Sequence, residues 1–223
     1  CGVDRGPGST RRDGGAEPLP IEPGPHVQVG LAPDGERLAT MEFRNGRANV
    51  VIHDLTRGVT TSVPLDAMNA YPVWSPDGRE ILFDTAQKGP WDLHRFAVDG
   101  SQALRPLLED ATDQIPLDWS SDGRYVVWDE NYSAIHALDL ESEGERMVLA
   151  TGGVQGVSLS PDGRWMAYGS DVSGRAEILV RRFPDGTRDF RVSADGGSYP
   201  LWGRDGGEIL FRHRRGLQRR RAA

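Results

Sequence analysis

Short apolar runs recur along the chain in a constant register, and each run follows an Asp-Gly pair. One apolar set stands three residues after the glycine, and a second, mostly aromatic set stands two residues further on. The first set is Leu38, Ile81, Val126, Met166 and Ile209, and the second is Thr40, Phe83, Trp128, Tyr168 and Phe211. Residues between the sets, such as Leu82 and Val127, are also apolar, so a strand here would be buried on both faces. The pattern predicts sheets that are each packed between two neighbouring sheets.

The turns that precede these strands have the chemistry of a tight hairpin. Proline fixes φ at the second position of a type I turn, aspartate tolerates the third, and glycine takes the left-handed position after it. In two copies Ser121 and Arg204 replace the proline. The residues predicted to form the turns are Pro33, Asp34, Gly35, Pro76, Asp77, Gly78, Asp122, Gly123, Pro161, Asp162, Gly163, Asp205 and Gly206. They recur about every 40–45 residues, which is the spacing of β-propeller blades.

Each of the first four units continues with a third strand, a second turn and a weaker fourth strand, as a four-stranded propeller blade does. In the fifth unit we recognise no third strand, turn or fourth strand after Phe211, where half of the residues that follow are arginine. We therefore predict an all-β fold, a β-propeller of about five four-stranded blades with an incomplete last blade. An open or truncated six-bladed ring is the alternative. The predicted segments are a loosely ordered remnant of a preceding blade (1–25), the propeller (26–213) and a basic tail (214–223).

Composition narrows the classes of partner. The 28 glycines and 15 prolines suit a chain with many short strands and turns. A net charge of −7 disfavours nucleic acid, which requires a basic face. No apolar run approaches the ~18 residues of a membrane helix, so we predict no membrane insertion by this segment. The one cysteine, Cys1, provides no disulfide framework. It is either the edge of a fragment or the lipidated first residue of a mature lipoprotein.

No enzyme motif is complete in this sequence. The run Gly156-Val157-Ser158-Leu159-Ser160 begins like the nucleophile elbow of a serine hydrolase but ends in serine. A protein kinase would need a glycine-rich loop, a catalytic-loop aspartate and an Asp-Phe-Gly element, none of which is present. We therefore predict no catalytic residue and no cofactor in this segment.

Three histidines are the weak candidates for a metal site. His53, His94 and His136 occupy what the spacing indicates is the same third-strand position in consecutive units. Zinc needs ligand nitrogens ~2.0–2.1 Å from the ion, whereas stacked sheets lie ~10 Å apart. Packing between blades is therefore the expected role of these rings, and we predict no bound metal. The repeated Trp74, Trp119 and Trp202 are likewise expected to pack in the core rather than to form a binding platform.

A family resemblance rests on the repeat itself. Residues 159–211, beginning Leu-Ser-Pro-Asp-Gly-Arg-Trp, and the stretch Ala70-Tyr71-Pro72-Val73-Trp74-Ser75-Pro76-Asp77-Gly78-Arg79 resemble the WD40-like (PD40) repeats of the TolB-type β-propeller. They are most similar to the version at the C-terminus of some bacterial serine/threonine protein kinases. The resemblance covers roughly residues 15–211. TolB propellers have six blades and a further N-terminal α/β domain, neither of which this sequence matches.

The resemblance implies a rigid, non-catalytic module that acts as a scaffold or sensor and binds a protein or peptide through its loops. The expected context is a fragment of a bacterial serine/threonine kinase. One alternative is a periplasmic TolB-like envelope protein, and another is the gating propeller of a prolyl-oligopeptidase-type serine peptidase. An extracytoplasmic, periplasmic location follows if the resemblance holds. The oligomeric state is not predicted.

Overall fold

The computed structural model describes residues 8–10, 16–22, 24–44, 46–142 and 145–221. Throughout these residues the regular elements are β-strands, and the chain divides into two compact units, residues 1–111 and 112–223. Five successive antiparallel sheets, two in the first unit and three in the second, are the blades of a β-propeller, which confirms the predicted fold class. Cys1 and most of the predicted segment 1–25 lie outside the described residues.

Unit 1 contains one short hairpin and two four-stranded blades. The hairpin pairs β1 (Gly8–Thr10) with β2 (Ala16–Pro18). The first blade has the strand order β3 (His26–Leu31), β4 (Arg37–Arg44), β5 (Arg47–Asp54) and β6 (Val59–Ser62). The second has the order β7 (Asn69–Trp74), β8 (Glu80–Thr85), β9 (Asp92–Ala97) and β10 (Arg105–Leu108). Each strand therefore pairs with the strand that precedes it in sequence, as in an up-and-down blade.

Unit 2 contains the third, fourth and fifth blades. The third has β11 (Gln114–Trp119), β12 (Tyr125–Glu130), β13 (Ala134–Asp139) and β14 (Glu145–Thr151). The fourth has β15 (Val154–Leu159), β16 (Trp165–Ser170), β17 (Glu177–Arg182) and β18 (Phe190–Arg191). The fifth is a three-stranded sheet of β19 (Ser198–Trp202), β20 (Glu208–His213) and β21 (Gly216–Arg221).

Within the described residues the last blade has three strands and is incomplete, as predicted, but the prediction that no third strand follows Phe211 is wrong. Strand β21 lies within the residues assigned to a basic tail, and it pairs with β20 from Glu208↔Arg221 to His213↔Gly216. All six of its residues are exposed. Because this edge strand is held by backbone hydrogen bonds, it needs no alternation of apolar and polar residues, which is the pattern that marks the other strands.

The core of each unit is built from the second strands of the blades. Ile81, Leu82 and Phe83 of β8 are completely buried, so both faces of this strand are covered as the sequence predicted. In unit 2, Val127 and Trp128 of β12 are buried in the same way. Burial of one such large apolar side chain contributes about 1.5–3 kcal/mol to folding. The tryptophans at 74, 119 and 202 are also buried, in agreement with the expected packing role.

The Asp-Gly turns share one hydrogen-bond pattern. In the fourth blade the N–H of Gly163 donates to the carbonyl of Ser160 at 2.8 Å, and Gly163 has a φ of +68°. Asp162 Oδ1 accepts from the Ser160 hydroxyl at 2.6 Å and from the N–H of Arg164 at 3.1 Å. The hydroxyl in turn accepts the N–H of Trp165 at 2.9 Å. The turns at Asp77 and Asp122 repeat this arrangement, so these aspartates act within the turn rather than on a ligand.

Neighbouring first strands are joined at one repeated position. The next-to-last residue of a first strand accepts a hydrogen bond from the last residue of the first strand in the following blade. In unit 2, Asp118 Oδ2 accepts the N–H of Leu159 at 2.6 Å, and Ser158 Oγ accepts the N–H of Trp202 at 3.1 Å. In unit 1, the Gly30 carbonyl accepts the indole N–H of Trp74 at 2.9 Å. These bonds join consecutive blades and satisfy polar groups next to the core.

Candidate functional site

The first strand of every blade contains a β-bulge, which is an extra residue opposite the second strand. The pairing shifts by one residue at Val27/Gly30, Ala70/Val73, Pro116/Asp118, Val154/Val157 and Ser198/Leu201. In four blades the residue three before the end of the strand is left-handed; these residues are Gln28, Tyr71, Gly156 and Tyr199, with φ between 46° and 80°. The third blade has Pro116 at this position, and proline cannot adopt a positive φ. Bulges of this kind are enriched next to functional sites.

Tyr199 in β19 is held in a costly backbone conformation. A left-handed residue other than glycine costs about 1–2 kcal/mol, because its Cβ approaches the following carbonyl. Tyr199 nevertheless has a φ of 52°, and 58% of its surface is exposed, so burial of its ring does not offset the cost. Gly156, at the bulge of the fourth blade, leaves space for Tyr199, because a Cβ on Gly156 would lie only 3.0 Å from the Tyr199 Cα. Strained residues of this kind are concentrated at binding sites.

Exposed apolar side chains accompany the strained residues on two of the first strands. In unit 2, Tyr199 and Leu201 are 58% and 59% exposed, and we call them the β19 surface. In unit 1, Val27, Val29 and Leu31 are between 39% and 50% exposed, and we call them the β3 surface. The second strands expose no comparable residues in the described blades apart from Phe43. Other described strands expose one such residue each, at Val59, Val148, Phe190 and Leu217, so β3 and β19 are the strands that expose two or more.

An open cleft of about 430 Å³ lies next to the β19 surface. Its walls come from the start of β17, the loop before β19 and the end of β20. The lining residues are Arg175, Ala176, Asp195, Gly196, Gly197, Ser198, Arg212, His213 and Arg214. The set contains three arginines and one aspartate, and Arg175 is also paired with Glu177 at 3.1 Å, so Arg212 and Arg214 make the cleft locally basic although the whole chain carries a net charge of −7. Ser198 of this lining directly precedes Tyr199, which places the cleft at the start of β19.

The three histidines from the sequence prediction do not share one position. His94 pairs with Phe83, and His136 pairs with Trp128, so these two are equivalent. His53 pairs with Leu38 and stands two residues beyond Val51, which pairs with Thr40 and therefore holds the position equivalent to His94. The spacing alone concealed this difference in register.

Each of these histidines has its own environment. The ring of His136 stacks on Trp128 with centroids 5.1 Å apart, and the ring of His94 lies 6.1 Å from that of Phe83. Burial lowers the pKa of His136, although Glu130 nearby opposes this. His53 instead contacts Glu42 and His26 on the neighbouring strands β4 and β3. Within the described residues, the one group of three or more potential metal ligands is His26, Glu42 and His53.

The bulges were not predicted from the sequence, although a signal for them is present. The segments Tyr71-Pro72-Val73-Trp74 and Tyr199-Pro200-Leu201-Trp202 repeat a Tyr-Pro-x-Trp pattern, with the left-handed tyrosine in the first position. Proline after the tyrosine removes an N–H that the pairing to the second strand would otherwise use. The described part of the chain contains no helix long and apolar enough to cross a bilayer.

Comparison with known proteins shows which fold this chain shares. No family model matches the chain. A sequence relative is the uncharacterised protein Atu1656 of Agrobacterium fabrum, which is 29% identical over 188 residues, or 77% of this chain and 60% of the relative. The Tol-Pal system protein TolB of Ruthia magnifica is 26% identical over 76 residues, or 33% of this chain and 18% of that protein.

Among solved structures, TolB from Acinetobacter baumannii is similar with a TM-score of 0.77 at 19% identity, covering 96% of this chain and 56% of that chain. The similarity shows that the chain has the TolB-like propeller fold. The chain spans 60% or less of the length of each of these proteins.

Proposed function

We propose that this propeller is a non-catalytic scaffold that binds a protein or peptide through the first strand of its fifth blade. The observation that carries the proposal is Tyr199, an aromatic side chain that is both exposed and held in a left-handed backbone. The stability of the fold does not explain a tyrosine at this position, because glycine would adopt the left-handed conformation at lower free-energy cost. Exposed aromatic side chains on a rigid element are typical anchors of protein interfaces.

The surroundings of Tyr199 define the chemistry of the expected partner. Leu201 adds apolar area on the same strand, and the cleft beside them presents the guanidinium groups of Arg212 and Arg214. Guanidinium groups favour carboxylates, which they bind through paired hydrogen bonds. We therefore expect an extended segment with one or two apolar side chains beside an acidic residue. This site is on a strand and its adjoining cleft, in addition to the loops that the family resemblance implied.

The biological context remains a proposal. The TolB-like fold supports a scaffold role and favours a bacterial envelope protein in the periplasm, which is the alternative raised by the sequence. The association with a serine/threonine kinase, and that with a peptidase gating domain, stay predictions from the sequence. The sequence on either side of this segment tests all three contexts. Kinase motifs would indicate the kinase, a signal peptide with an α/β domain the TolB-like envelope protein, and a hydrolase domain the peptidase.

Selection from a displayed library of random peptides tests binding across many candidate sequences at once. The purified chain should enrich peptides that combine apolar and acidic residues, and their affinities can be measured by fluorescence anisotropy. Y199A and L201A should weaken binding at least about tenfold, since a central aromatic anchor contributes about 2 kcal/mol or more. Y132A is the matched control, because Tyr132 is also left-handed (φ 56°) and 64% exposed, but lies in the β12–β13 turn.

Three outcomes would contradict the proposal. The first is the absence of any enriched peptide, and the second is equal binding by Y199A, Y132A and the unmodified chain. The third is hydrolysis of peptide or ATP by the purified chain, which would contradict the non-catalytic role. Circular dichroism of each variant shows whether lost binding reflects a lost fold.

A further inference from the structure

Two histidines and a glutamate from three adjacent strands meet in the first blade. His26 in β3 pairs directly with Glu42 in β4, and His53 in β5 pairs with Leu38 in β4. Residues 38, 40 and 42 point to one face of β4, so His53 and Glu42 share this face with Thr40 between them. The side chains are almost completely buried, with exposures of 4% for His26, 4% for Glu42 and 6% for His53.

The donor atoms have the separations of a zinc coordination sphere. Glu42 Oε1 lies 3.2 Å from His26 Nδ1 and 3.0 Å from His53 Nε2, and one donor atom from each residue lies within 4.8 Å of the others. With bonds of about 2.0–2.1 Å, a tetrahedral zinc ion separates its ligand atoms by about 3.3–3.4 Å. Both distances to Glu42 Oε1 are within a few tenths of an ångström of this separation, and the two histidine nitrogens, which lie within 4.8 Å of each other, would move closer around an ion.

The tautomer of His26 points to a cation in this position. Its Nε2 lies 2.8 Å from the backbone carbonyl of Glu22, and a carbonyl only accepts, so Nε2 carries the hydrogen. In the neutral ring Nδ1 then has a bare lone pair, which faces the carboxylate group of Glu42. Nδ1 makes no hydrogen bond, because the bare ring nitrogen and the carboxylate oxygen are both acceptors. A buried lone pair beside a carboxylate is unfavourable unless a proton or a metal cation lies between them.

This arrangement is also the one that holds metal-ligating histidines in place. Such a histidine typically donates its second ring N–H to a backbone carbonyl or carboxylate, which fixes the tautomer and the orientation of the ring. The Glu22 carbonyl has this role for His26. Thr40 is completely buried beside the group, and its hydroxyl lies 3.1 Å from His53 Nε2 and 3.4 Å from Glu42 Oε1. The hydroxyl or a water molecule beside it is placed to complete a fourth position.

We propose that His26 Nδ1, Glu42 Oε1 and His53 Nε2 bind one Zn²⁺ ion in the first blade. Two imidazoles and one carboxylate are a ligand set that suits this ion. Its role is structural, since it joins β3, β4 and β5 where the bulge at Val27/Gly30 interrupts the pairing of the first two. The site is independent of the β19 surface in unit 2. It departs from the sequence prediction of no bound metal and involves His53, one of the three histidines considered there.

Zinc binding to the whole chain tests this proposal directly. After removal of metal with EDTA, isothermal titration with Zn²⁺ should give one site per chain, and the melting temperature should rise on addition of the ion. Co²⁺ in its place should give the intense visible absorption of a tetrahedral site. H26Q and H53Q should lower the affinity at least about 10–100-fold, the loss found even for residues that only orient a ligand. H94Q and H213Q are the matched controls and should bind as the unmodified chain does.

Each alternative outcome is decisive. If the unmodified chain binds no Zn²⁺, or if H26Q and H53Q bind it as tightly as H94Q does, the proposal is wrong. If H94Q abolishes binding as well, the ion is bound elsewhere and the assignment is again wrong. Should H53Q fail to fold by circular dichroism, H26Q and E42Q still give the answer, and the Co²⁺ spectrum distinguishes a lost ligand from a general loss of stability.

Discussion

Asp118 in the third blade should make the stability of this protein depend on pH in a way that is unusual for an aspartate. Its two carboxylate oxygens accept the N–H of Trp119 at 2.8 Å and the N–H of Leu159 at 2.6 Å. Removal from water nevertheless outweighs these two bonds and raises the pKa of Asp118 to about 6, from an ordinary value of 3.8. Most paired aspartates have the opposite behaviour, with a lowered pKa.

The sign and size of the effect follow from this shift. Between pH 3.8 and about 6, the carboxyl group is protonated in the folded chain but ionised in the unfolded chain. The free energy of unfolding contributed by Asp118 is therefore fully present below pH 3.8 and is lost as the pH rises through 6. At about 1.4 kcal/mol for each pH unit, the full change is about 3 kcal/mol. Asp118 is half-buried and keeps some contact with water, so the expected value is lower, about 2 kcal/mol.

D118S is the informative variant, because serine already occupies the equivalent position in another blade. Ser158 occupies the equivalent position in the fourth blade and accepts the N–H of Trp202 at 3.1 Å without a charge. We expect the unmodified chain to lose stability relative to D118S as the pH rises from about 4 to about 7, and the difference to level off above that range. Urea unfolding followed by tryptophan fluorescence gives the free energies, and the difference between the two proteins cancels all other titrating groups.

D99S is a control for which the change of stability with pH should have the opposite sign. The pKa of the exposed Asp99 is lowered, first by the Ser101 hydroxyl, so the unmodified chain should lose stability relative to D99S as the pH falls through the lowered value. A difference between the unmodified chain and D118S that is constant from about pH 4 to about pH 7, or that grows with pH, would refute the assigned burial of Asp118.

Three further predictions concern the core, the turns and the strained strand. F83A should lower the free energy of unfolding by about 3–5 kcal/mol, because Phe83 is fully buried. F43A should lower it by less than about 1 kcal/mol, because Phe43 is 47% exposed. Equal losses for the two variants in urea unfolding would contradict the assigned packing. S160A should cost about 1–2 kcal/mol in the same assay, because the hydroxyl bonds both Asp162 and the N–H of Trp165, and an unchanged midpoint would show that the turn does not need it. Y199G should raise the melting temperature by relief of about 1 kcal/mol of strain while it weakens peptide binding, and a lower melting temperature would mean that the ring stabilises the fold.

The sequence predicted those parts of the fold whose causes are local. The Asp-Gly turns and the apolar second strands follow from preferences that act within a few residues, such as the left-handed glycine at 163 and the buried run 81–83. Strand β21 was missed because Gly216–Arg221 pairs through its backbone and exposes every side chain. Its presence depends on the neighbouring β20, which no property of those six residues indicates.

The candidate sites depend on pairing between strands, which the spacing of residues did not reveal. The pairing of β4 with β5 puts Val51, and not His53, at the position of His94, so the apparent histidine column was not one position. The contact of His26 with Glu42 requires the β3–β4 pairing across a bulge. A periodic pattern therefore identifies the blades well, but it does not identify which polar side chains meet on their faces.

The hydrogen bonds between successive first strands have a consequence for how such chains can change in length. The acceptor stands next to last in the strand and its donor is the last residue of the corresponding strand in the next blade, as for Ser158 and Trp202. In unit 2 both acceptors are side-chain oxygens and both donors are backbone N–H groups. A recombination event that adds or removes a whole repeat of this kind carries one acceptor and one donor together, so it leaves neither group unpaired, which would cost about 1–3 kcal/mol. The number of such blades can therefore change by complete repeats without loss of these hydrogen bonds.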